Sequence, residues 1–213
     1  VVNNIQRSAS LFLVKNIFSF LLSILSAVFM ISYPLEPSQV SLISMFTIGI
    51  PGFFLALEPN KTRIKGHFMT NVLLKALPAG LTDVFAVGAL VVCGHVFGLP
   101  SADIATAATM LLAIVGFMIL YKICQPMNSV RLAVFIGCIV GMICGVFLNQ
   151  LFAMSGMSTI CVLLFVMFSF AAESFFRYLS ILVEDGRLLV KRIRGDISKE
   201  ELLHKLEGEE LDG

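Results

Sequence analysis

The stretch Leu11–Asn60, LFLVKNIFSFLLSILSAVFMISYPLEPSQVSLISMFTIGIPGFFLALEPN, decides how the chain is read. It holds two long apolar segments joined by a short acidic turn around Glu36. In the first segment Asn16, Ser19, Ser23 and Ser26 recur at helical spacing and fall along one stripe of a helix. In the second, Ser41, Ser44 and Thr47 repeat at three-residue steps, and Pro51 lacks the amide that would bond the carbonyl of Thr47. A helix broken in this way at membrane depth is tolerated where the released groups face protein or a wet cavity, which is how transporters build ion sites.

Working outward, composition fixes the class. Of 213 residues, 58% are hydrophobic and 14% charged, and the mean hydropathy is +0.94, so the chain lacks the polar surface of a soluble domain. Apolar runs without strand-like alternation exclude a membrane barrel and predict an all-α integral membrane protein, each run long enough to cross a core of about 30 Å. Six spans are expected, at Leu11–Ser32, Val40–Leu57, Ala76–Phe97, Ile104–Tyr121, Leu132–Leu148 and Ser158–Phe176. All 15 Lys and Arg residues fall on one side, at the chain ends, in alternate loops or, as Lys15, at the opening of the first span, so the positive-inside rule places both termini in the cytoplasm. The chain opens on Val1, and residues 1–10 are too polar for a signal-peptide core. A piece of a longer polypeptide is therefore expected.

The expected organisation is a cytoplasmic end of the first helix at 1–10, an ion-path helix pair at 11–60, a four-helix support region at 61–182 and a short charged cytoplasmic tail at 183–213. Ser198 and Glu201 in that tail read as a capping box for a short helix. The basic loop at 58–71 reads first as an anchor on the membrane surface. Gly137, Gly141 and Gly145 in the fifth span form a doubled G-x-x-x-G, read as packing inside the bundle ahead of a dimer seam. The five cysteines form no C-x-x-C pair and read as reduced packing residues. No phosphate loop, nucleophile triad, zinc motif or nucleic-acid segment is present, so no catalytic residue and no cofactor site is expected in these residues.

Candidate site residues each carry two readings. Asn16, Ser19, Ser44 and Thr47, with the break at Pro51, read as an ion path; the bland alternative is ordinary Ser/Thr helix packing. Lys15 either snorkels to the membrane surface or acts as a charge in the path. Asp83, about a third of the way into the third span, is costly as an isolated ion and reads equally as a functional group or as a stretched partner of Lys75. Glu173 and Arg177 read as a structural i, i+4 pair.

Two stretches, V-N-N-I-Q-R-S-A-S-L-F-L-V-K-N-I-F-S from Val2 to Ser19 and T-I-G-I-P-G-F-F-L-A-L-E-P-N from Thr47 to Asn60, resemble the fifth and sixth membrane helices of P-type cation-transporting ATPases, in particular the bacterial branch. The resemblance implies the C-terminal membrane half, the fifth to tenth helices, of an ATP-driven pump in the plasma membrane. Its partners would be the lipid bilayer, the transported cation and the N-terminal membrane and cytoplasmic domains of the same polypeptide. It also implies ATP and Mg2+ for the parent protein, which would cycle through an aspartyl phosphate on a D-K-T-G motif absent from these residues. Aligned on G-x-P, calcium and sodium pumps of the family have Asn, Thr and Asp where this chain has Ser44, Thr47 and Ile48. On the preceding helix they have Asn and Glu where it has Asn16 and Ser19. Two ligand carboxylates are thus replaced, which leaves the cation open; proton–potassium pumps have a Lys where Lys15 stands. The rival reading is a self-contained six-helix secondary carrier or membrane scaffold without ATPase activity.

Overall fold

A computed structural model describes residues 2–30, 33–57 and 68–193. The chain forms helices α1 (Val2–Phe29), α2 (Pro37–Ser44), a π-helical turn (Met45–Gly49), α3 (Ile50–Leu57), α4 (Phe68–Val96), α5 (Ser101–Cys124), α6 (Ser129–Phe147), α7 (Asn149–Phe152) and α8 (Thr159–Ile193). Among the described residues six helical segments are long and apolar enough to cross a membrane, the second composed of α2, the π turn and α3. The expected all-α six-helix bundle is therefore what forms.

The ends of these helices follow from local chemistry. Pro37 sits in the first turn of α2, where a missing N–H costs nothing. The Glu36 N–H donates to Gln39 Oε1 at 3.0 Å. Gln39 is fully buried, and its Nε2 donates to the Ala153 carbonyl at 3.0 Å, which fastens α2 to the connection after α6. At the same end of the bundle, Asp103 Oδ2 accepts from the Ser158 N–H at 2.9 Å, and Thr106 Oγ1 accepts from the Ser155 N–H at 2.9 Å. At the opposite end Asn128 caps α6 by accepting from the Arg131 N–H at 2.8 Å. The Arg131 guanidinium donates to the carbonyls of Cys124 at 3.1 Å and Pro126 at 2.7 Å, so this buried charge is engaged where α5 turns into α6.

With lipid as solvent the helices are held by close packing rather than by a hydrophobic drive, and small residues set how near two backbones come. α4 and α5 are the most enclosed. Along α4, Ala76 and Ala79 are fully buried, and Gly80 meets α1, where a Cβ on it would lie 2.7 Å from Ile17 Cγ2. Further along, Gly88 meets Leu25 of α1, and Gly94 meets Ile104 of α5. The other side of α4 packs on α8, where the rings of Phe85 and Phe175 stack with centroids 4.7 Å apart. Gly141 and Gly145 of α6 receive Phe46 and Leu42 of the second span, while Gly137 has open space beside it. The glycine stripe is thus occupied from within the bundle at two of its three positions.

α8 continues helically past the expected span end at 176 and through the first part of the expected tail to Ile193. Ile181, Leu182, Leu188 and Val190 keep an apolar pattern through the charged stretch, and Arg187 Nη1 lies 3.6 Å from Glu184 Oε1 across one turn. Glu173 and Arg177 form the expected i, i+4 pair at 2.6 Å. Of the basic loop expected at 58–71, residues 68–71 belong to α4, and residues 58–67 lie outside the described residues, as do the Ser198–Glu201 box and the Lys75 side chain. All five cysteines are free thiols, three of them buried.

The tightest contact between α5 and the second span generates a test. A Cβ on Gly116 would lie 2.8 Å from Thr47 Cγ2 and 3.1 Å from Thr47 Cβ, so Gly116→Ala should incur an overpacking cost of about 1–3 kcal/mol. Thr47→Ser removes the methyl that Gly116 faces. Thermal unfolding in detergent of both single variants and the double should therefore give a coupling of about 1 kcal/mol or more, whereas additive effects would contradict the contact.

Candidate functional site

A cavity of about 50 Å3 lies where α1, the second span, α4 and α5 converge. Its polar lining consists of Lys15 and Ser19 from α1, Ser44 and Thr47 from the second span, and Asp83 from α4; Gly116 of α5 and aliphatic side chains complete the wall. Room for one water needs about 10–15 Å3 on this measure, so the space suits an inorganic ion with a few waters and is far below the ~300 Å3 that organic ligands occupy.

The π turn brings the second span's oxygens to this place. Pro51 cannot donate to Thr47, and its ring crowds that carbonyl. The preceding turn widens, with the Ile50 N–H bonding the Met45 carbonyl five residues back. The irregularity expected around Gly49 to Pro51 is therefore present, centred slightly earlier and taken up as a wide turn in a continuous rod. Ser44 Oγ donates to the Val40 carbonyl at 2.6 Å, and Thr47 Oγ1 donates to the Ile43 carbonyl at 2.8 Å. A hydroxyl has one proton to give and two lone pairs. With the proton directed along the helix, each oxygen is left as an acceptor, which is the polarity a cation requires.

The expected site residues separate into those the fold brings together and those it does not. Ser19, Ser44, Thr47, Lys15 and Asp83 share the cavity. Pro51 is buried in the turn that follows it. Asn16 is exposed and takes no part in the lining. At about 100° per residue, Asn16 lies about 60° further round α1 than Ser19, while Lys15 lies on the near side of it. The stripe meets the cavity along one edge only. Ser26 is buried and Ser23 exposed, in keeping with the same rotation, and Ser23 Oγ donates to the Ser19 carbonyl at 2.7 Å.

Gly116 was not singled out from sequence, because a lone glycine in an apolar span carries no partner information. Of the two readings open for Asp83, the described residues show it lining the cavity, while the Lys75 side chain lies outside them. Among the described residues no group of three or more His, Cys, Asp or Glu could hold a metal ion. The site therefore offers one carboxyl and several neutral oxygens rather than a carboxylate cage.

No family model matches the chain. It is 34% identical over 139 residues, 62% of its length, to the "Probable cation-transporting ATPase exp7" of Streptococcus pneumoniae. It is 41% identical over 91 residues, 38% of its length, to the calcium-transporting ATPase CtpE of Mycolicibacterium smegmatis, and 31% identical over 147 residues to CtpE of Mycobacterium bovis. The matched stretches amount to 18%, 12% and 18% of those proteins, so the chain spans less than a fifth of the curated relatives it matches. The resemblance to bacterial P-type cation-transporting ATPases is thereby carried by relatives along more than half of the chain.

Proposed function

We propose that this chain is the membrane part of an ATP-driven inorganic cation pump and that the cavity between α1, the second span, α4 and α5 is a station on the ion path. The observation that carries the reading is the pair Ser44 and Thr47, which line a cavity of ionic size and whose hydroxyl protons are directed to helix carbonyls. Calcium is the first cation to test, because two of the relatives are named as calcium-transporting. ATP and Mg2+ would be handled by parts of the polypeptide beyond these residues, with the bundle coupling that chemistry to the occupancy of the cavity. A self-contained carrier or scaffold is not favoured, since the relatives are ATPases much longer than the stretch they share with the chain.

Within this reading the ends bearing Lys61, Lys65, Lys122 and Arg131 face the cytoplasm of a multi-pass plasma-membrane protein, and the end bearing Glu36 faces outward. Asn16, on the exposed side of α1, would then meet the ion path only through neighbours outside this chain.

In a cysteine-free background, a membrane-impermeant maleimide applied to intact cells should modify Glu36→Cys and spare Lys65→Cys; the reverse pattern would overturn the orientation. For the activity, the full-length polypeptide reconstituted in vesicles should hydrolyse Mg-ATP several-fold faster with micromolar calcium than with Mg2+ alone and should move calcium only when ATP is supplied. Cation flux that needs a gradient and no ATP would favour the carrier instead.

A further inference from the structure

The third span contributes a group that its own surroundings leave unsatisfied. Asp83 is 4% exposed, and its Oδ1 is buried without a hydrogen-bond partner among the described residues. Its neighbour Thr82 donates to the Pro78 carbonyl at 2.7 Å and offers the carboxyl nothing. The other basic side chains described within the spans are engaged elsewhere. Arg131 bonds the carbonyls at the α5–α6 turn, Lys122 lies 4.5 Å from the Phe176 ring centroid, and Arg177 pairs with Glu173. Lys15 alone among them lines the same cavity as Asp83, and no ion pair joins the two. A carboxyl at this depth is expensive unless a partner arrives, and the cavity is where one can arrive.

The donor set describes that partner. Ser19, Ser44, Thr47 and Asp83 are the oxygen-bearing residues of a mostly apolar lining, and the Asp83 Oδ1 has no partner of its own among the described residues. Hard divalent cations such as calcium take about 6–8 oxygens at about 2.3–2.6 Å, and the cavity leaves room for the few waters that would complete such a shell. No His, Cys or Met stands in the lining, which argues against zinc or copper. The lysine explains how the same carboxyl can be accommodated when no ion is present. Its four-carbon stem lets the ammonium reach towards Asp83 or withdraw towards the N-terminal end of α1.

We propose that Asp83 of α4 is the carboxylate ligand of a hard divalent cation held among Ser19, Ser44 and Thr47, and that the Lys15 ammonium competes with that cation for Asp83. The proposal rests on the cation-pump reading for its physiological meaning and adds to it a ligand from a third helix, in place of acidic residues that α1 and the second span do not carry.

Equilibrium binding of radioactive calcium to the purified full-length polypeptide, without ATP and with excess Mg2+ to occupy other sites, tests this directly. Wild type should bind calcium. Asp83→Asn should weaken binding at least tenfold while melting no lower than wild type in the absence of calcium, as expected for removal of an unpartnered charge. Asp83→Glu should retain binding within a few-fold, Ser44→Ala should weaken it, and Lys15→Met should tighten it. Binding by Asp83→Asn equal to wild type, or no calcium binding by wild type, overturns the assignment; unchanged affinity in Lys15→Met overturns the competition. Intact, Asp83-dependent binding without any calcium-stimulated ATP hydrolysis would instead defeat the pump reading and leave the site standing.

Discussion

Everything in this bundle answers to one constraint, that a polar group at membrane depth must find its partner inside the protein. Pro51 violates the regular hydrogen-bond ladder of the second span by having no N–H to give. The chain responds by widening the turn before it, and the Ile50 N–H reaches back to Met45. Ser44, just before this turn, and Thr47, within it, direct their hydroxyl protons to carbonyls one turn back and keep oxygen lone pairs free.

The remaining helices hold this arrangement in register. α4 can lie close against α1 because Gly80 and Gly88 leave room for Ile17 and Leu25, and that closeness brings Asp83 to the face of α1 that carries Lys15 and Ser19. Gly116 does the same for α5 against Thr47. On the outer side of the second span, Gly141 and Gly145 receive Phe46 and Leu42, so the widened rod is gripped from two directions. Van der Waals contact at small residues, rather than expulsion of water, carries this packing. Each glycine therefore matters for the site even though none can touch an ion through a side chain.

Much of this was legible in the sequence. Run length and the distribution of Lys and Arg determined the number of spans, and Pro51 marked the irregular turn. Helical spacing gathered Ser19, Ser44 and Thr47 as oxygen donors. What spacing could not supply was the rotation of each helix about its axis. Asn16 and Ser19 belong to one stripe, yet with Gly80 packed against Ile17 only the edge of that stripe with Ser19 and Ser26 is covered, and Asn16 and Ser23 stay exposed. Asp83 illustrates the complementary limit, because pairing along a single helix is visible in sequence while convergence of three helices is not. Charge density marks a tail after 183, and apolar spacing through Leu188 and Val190 accompanies the helix on to Ile193.

The central claim is that a cation resides at the meeting point of α1, the widened second span and α4. A high-resolution structure of the full-length polypeptide in a heavy-cation surrogate such as strontium, with anomalous scattering used to locate it, addresses that claim without reliance on turnover. The account predicts a single anomalous peak inside the cavity, within about 2.4–2.8 Å of Thr47 Oγ1 and an Asp83 carboxylate oxygen, slightly longer than the distances calcium adopts. A cavity without a peak, or a peak on the Asn16 side of α1 with Asp83 unengaged, would contradict it.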